Sequence, residues 1–71
     1  MNATHLTEEA IDTAFDIGEA VADGLDKYES FDAYRWTLVS YTHWGWVVDV
    51  LGKDDAEKHA EAGFKMALQR R

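Results

Sequence analysis

Ser30-Phe31-Asp32-Ala33-Tyr34-Arg35-Trp36-Thr37-Leu38-Val39-Ser40-Tyr41-Thr42-His43-Trp44-Gly45-Trp46-Val47-Val48-Asp49-Val50-Leu51-Gly52 is the stretch on which the fold turns. Its Trp, Tyr, Val and Thr content favours strands. A hairpin would have to turn near Thr42-His43-Trp44-Gly45, between strands over 34–41 and 46–51. No Asn-Gly, Asp-Gly or Pro marks such a turn. Helical spacing fits better, because Phe31, Tyr34, Leu38, Tyr41, Gly45 and Val48 step by 3, 4, 3, 4 and 3. Ser30 suits an N-cap and Gly52 a C′ residue. The stretch is therefore expected to form one helix over 31–51. Its longest uncharged run, Trp36 to Val48, is thirteen residues. Crossing a bilayer takes about 20, so no membrane segment is read.

The flanks are simpler. Residues 8–26 read as an amphipathic helix, with Thr7 as N-cap and Glu8 and Glu9 in the first turn. Ile11, Ala14, Phe15, Gly18, Val21, Ala22, Leu25 and Tyr28 share one side. Residues 55–69 read as a third helix, introduced by a capping-box spacing from Asp54 to Glu57. Its apolar face is Ala56, Ala60, Gly63, Phe64, Ala67 and Leu68. Small residues on the first and third helices invite close backbone approach. The expectation is an all-α, three-helix single domain over 1–71 with a long central helix, paired as a helical dimer.

The totals narrow the function. A chain of 71 residues is short, and short chains bury a small fraction of their surface. They usually lean on disulfides, metals or oligomerisation. Cys is absent, and His5, His43 and His59 are scattered, which leaves oligomerisation. The N-terminus has neither a basic region nor an apolar run, so no signal peptide is read and a cytoplasmic setting is expected. A net charge of −7 disfavours direct binding to nucleic acid. No phosphate loop, His-Glu-x-x-His pair or nucleophile elbow is present. Ser40, His43 and Asp49 share a segment, but a triad is defined by geometry. Asp55 and His59, four apart, read as an ordinary surface pair. No enzymatic activity, cofactor or metal is expected.

Two features point to protein binding. Asp12, Asp16, Glu19, Asp23 and Asp26 step by 4, 3, 4 and 3 and so form one stripe. Successive carboxylates lie about 5.4 Å apart along the helix, one per turn, roughly as phosphates follow one another along a nucleic-acid strand. Residues 1–32 hold nine acids and one lysine, and 33–71 hold five acids and six bases, so the charge is concentrated. The functional reading is a row that docks on a basic, DNA-binding surface; the bland one is a solvated helix face. The second feature is that a continuous 31–51 helix is apolar on two sides. One side would pack inward. The other carries Trp36, Val39, His43, Trp46, Val47 and Val50 and is expected to form a homodimer interface. The alternatives are that both sides serve one core, or that a foreign partner alone covers the second.

Ile11-Asp12-Thr13-Ala14-Phe15-Asp16 with Gly18-Glu19 forms one set of strings that invites a comparison. The other set is Thr37-Leu38-Val39-Ser40, His43-Trp44-Gly45 and Val47-Val48-Asp49-Val50-Leu51-Gly52. With these the chain resembles the small phage-encoded quorum-sensing anti-activators. That resemblance implies a helical dimer that binds the DNA-binding domain of a LuxR-type transcription activator and blocks promoter binding in the host bacterial cell. The expected function is thus a small acidic inhibitor of a host DNA-binding protein. The alternatives are an inhibitor of another nucleic-acid machine such as CRISPR, a self-associating structural subunit, and a small regulator that binds DNA through Lys58, Lys65, Arg70 and Arg71.

Overall fold

The central stretch is helical, as its spacing predicts, but it is not one helix. The computed structural model describes residues 3–24 and 30–70, and no strand occurs among them. The elements are α1 (Ala3–Asp23), α2 (Phe31–Tyr34), a 3-10 helix (Arg35–Ser40), α3 (Trp44–Leu51) and α4 (Lys53–Gln69). The all-α class stands. The expected long central helix is replaced by two α-helices with a 3-10 helix between them.

Local hydrogen bonding accounts for the break. Thr37 Oγ1 donates to the Tyr34 carbonyl at 2.6 Å, and Ser40 Oγ donates to the Thr37 carbonyl at 2.6 Å. The Trp36 indole Nε1 donates to the Ala33 carbonyl at 3.1 Å. Each side chain takes a carbonyl three residues back, in competition with the α-helical ladder. Thr37 and Val39 are also β-branched and crowd the preceding turn. The backbone tightens, Tyr41 turns extended at φ −85°, ψ 134°, and α3 begins at Trp44, whose N–H reaches the Tyr41 carbonyl at 3.1 Å.

Gly52 joins α3 to α4 in a single residue. Its φ of 86° and ψ of 153° lie where essentially only glycine goes. Its N–H closes α3 on the Val48 carbonyl at 2.8 Å, and its own carbonyl opens α4 by accepting from Ala56 at 2.9 Å. Hence α4 starts before residue 55, and Asp54 lies inside its first turn rather than capping it. Similarly, α1 starts at Ala3, before the expected cap Thr7. Leu6, half-buried, falls on the same side as buried Ala10, so one more turn extends the apolar face.

The main seam lies between α1 and α4. A Cβ on Gly18 would overlap the Ala60 carbonyl, and one on Gly63 would overlap the Phe15 carbonyl. The two backbones therefore touch directly, with buried Ala14, Ala22, Ala56, Ala60 and Ala67 around them. Ile17, Val21, Phe31, Leu38, Trp44, Val47, Phe64 and Leu68 complete the core. Phe31 and Phe64 meet edge to face, with centroids 5.5 Å apart. Tyr34, Tyr41, Val48 and Leu51 pack at its margin.

Candidate protein-docking surfaces

The acidic row lies on the outer side of α1. Buried Ala10, Ala14, Ile17, Val21 and Ala22 face the core, and the row follows the opposite edge. Asp12, Asp16 and Asp23 are exposed. Glu19 is half-buried and accepts a charge-assisted hydrogen bond from Arg70 Nη2, which the end of α4 carries across the seam. Among the described residues, Asp12, Asp16 and Asp23 form no ion pair. Asp26, the expected fifth member, lies outside the described residues.

Of the six residues expected to form one interface face, five are at the surface and one, Val47, is not. Trp36 is 73% exposed, Val39 76% and Trp46 38%. His43 is exposed and Val50 half-buried. Val47 is 0% exposed and belongs to the core. The break explains the scatter. It resets the helical phase after residue 40, so side chains of the 3-10 helix and of α3 no longer follow one stripe. Val47 then turns inward beside Trp44.

Trp36 and Val39 instead border a cleft of about 620 Å³. A 3-10 helix has three residues per turn, so positions three apart eclipse. Trp36 and Val39 are such a pair, and the bond to Ala33 fixes the indole. Trp44 and Val48 supply the remaining apolar wall, with Gly45 between them. Asp32, Arg35, Asp49, Lys53 and Glu57 supply the charge. No α1 residue lines it, nor do His43, Trp46 or Val50. On α3, Trp46 and Val50 each lie about 100° round from the cleft-lining Gly45 and Asp49.

Arg35 stands between two carboxylates, 3.8 Å from Asp32 and 3.7 Å from Glu57. Both separations exceed hydrogen-bond reach, and the guanidinium is largely solvated, so each pair contributes little. Sequence reasoning missed this charged rim. Arg35 and Glu57 are distant in sequence and no motif links them; the break and the Gly52 joint place them together.

These surfaces offer shape, apolar contact and charge. Ser40 Oγ, a member of the Ser/His/Asp set, is engaged by the Thr37 carbonyl. Among the described residues, no three His, Asp or Glu side chains group around a common point for a metal. No described helix is long and apolar enough to cross a membrane. A scan against protein-family models and searches of curated proteins and solved structures found no match to the chain.

Proposed function

We propose that the chain is a small acidic protein-binding inhibitor that lays its α1 row on the DNA-binding surface of a host protein, such as a LuxR-type activator, and excludes DNA. The observation that carries this reading is the exposure of Asp12, Asp16 and Asp23 on one edge with no counter-charge among the described residues. A basic groove built for phosphates would gain from such a row and release its counter-ions. The resemblance to anti-activators names the class of target. The test is a gel-shift of a purified LuxR-type DNA-binding domain on its promoter duplex at low salt. The chain should abolish the shifted band, and the D12N/D16N/D23N variant should not. A band untouched by excess wild-type chain would overturn the reading.

The exposed Trp36 and Val39 favour a second reading, a self-associating protein. Large apolar side chains left in water each forgo roughly 1.5–3 kcal/mol of burial. Light scattering should then give about twice the 8.1 kDa chain mass.

A further inference from the structure

We propose that the cleft beside the 3-10 helix is the seat of a second copy of this chain, docked two-fold, with Trp36 and Val39 of each protomer against the Trp44–Val48 wall of its partner. The proposal rests on the self-association reading and places its interface.

Three observations select this occupant. First, the cleft is ready for a dry contact. Among the described residues, Trp36 and Val39 are the most exposed large apolar side chains. The indole N–H is already bonded to Ala33 at 3.1 Å, so burying the ring strands no donor. Nothing lies within 4 Å of where a Cβ of Gly45 would stand, which leaves room for an incoming ring.

Second, the charge is self-complementary. The chain carries −7, and its copies repel across most faces. The cleft is near balance, with three acids against two bases and Arg35 standing between Asp32 and Glu57. That leaves one acid, Asp49, and one base, Lys53, each exposed and without an ion pair among the described residues. A two-fold axis matches a patch with itself, so Asp49 of each protomer can face Lys53 of the other, twice. A basic foreign partner would instead meet Arg35 and Lys53 as obstacles.

Third, the α1 row takes no part in the lining. A dimer closed here keeps both acidic rows free and apart.

The experiment uses D49K and K53D, each checked for native helix content by circular dichroism. Sedimentation equilibrium should show a wild-type dimer. Each single variant should dissociate about tenfold more readily or worse, since like charges then face each other. An equimolar mixture of the two should restore the dimer, because every introduced lysine faces an introduced aspartate. W36E, folded, should be monomeric. A monomeric wild type overturns self-association and this placement together. A wild-type dimer indifferent to all three substitutions, or charge variants that the mixture fails to rescue, overturns the placement alone.

Discussion

Gly18 and Gly63 decide how closely the two longest helices approach. Each occupies a point where a methyl group would meet main-chain atoms of the opposite helix, and main chain cannot step aside as a side chain can. Alanine raises helix propensity by about 1 kcal/mol over glycine. At these positions overpacking, typically 1–3 kcal/mol, outweighs that gain. G18A and G63A should therefore lower the urea midpoint. G24A makes the same change at the end of α1, where the Cβ would stand at an ordinary 3.7 Å from the Val21 carbonyl, and should leave the midpoint unchanged or raise it. If all three behaved alike in urea titrations, the direct backbone contact would be wrong. The Glu19–Arg70 bond is more modest. It is solvated at one end, so E19Q should cost less than about 1 kcal/mol.

At the level of elements, the α3–α4 joint depends on one residue. A side chain at φ 86°, ψ 153° is strained by about 1–3 kcal/mol. G52A should lower thermal stability by that order, although space around the residue is open. Packing cannot explain such a loss, so the measurement isolates backbone conformation. The 3-10 helix makes a different point. Six residues is long for this geometry, and hydroxyls hold two of its turns. T37A/S40A frees the Tyr34 and Thr37 carbonyls for α-helical partners and should increase the 222 nm ellipticity. An unchanged or weaker signal would mean that the tertiary contacts of Leu38, not the hydroxyls, impose the tight turn.

Over the whole molecule, the acidic row and the Trp36–Val39 cleft lie on separate elements. The row belongs to α1, and the cleft belongs to α2, the 3-10 helix, α3 and the start of α4. Neutralising Asp12, Asp16 and Asp23 removes like charges at helical spacing, which are mutually destabilising by a few tenths of a kcal/mol. D12N/D16N/D23N should thus be at least as stable as wild type while losing its basic partner. Raising salt should weaken the wild-type complex, as exposed charges are screened within about 10 Å at 0.1 M. Partner binding indifferent to both changes would leave the row a solvated helix face.

Periodicity alone determined the helical class, the acidic row and the buried face of α4, where Ala56, Ala60, Gly63, Phe64, Ala67 and Leu68 are all buried. An amphipathic helix writes its burial into its own spacing, and no distant residue has to be known. The same logic put Phe31, Tyr34, Leu38, Tyr41, Gly45 and Val48 on one side; Phe31 and Leu38 are buried, Tyr34, Tyr41 and Val48 half-buried, and Gly45 exposed. It failed for Val47, because one-helix phase was carried across a break that Thr37 and Ser40 make by bonding the backbone. Those hydroxyls were visible, but spacing along the chain does not say whether a hydroxyl will take a backbone carbonyl or face water. The cleft was decided only in three dimensions. Its charged rim draws Arg35, Asp49 and Glu57 from three elements, and what sets them side by side is the break at 35–43 and the turn at Gly52, not any spacing along the chain.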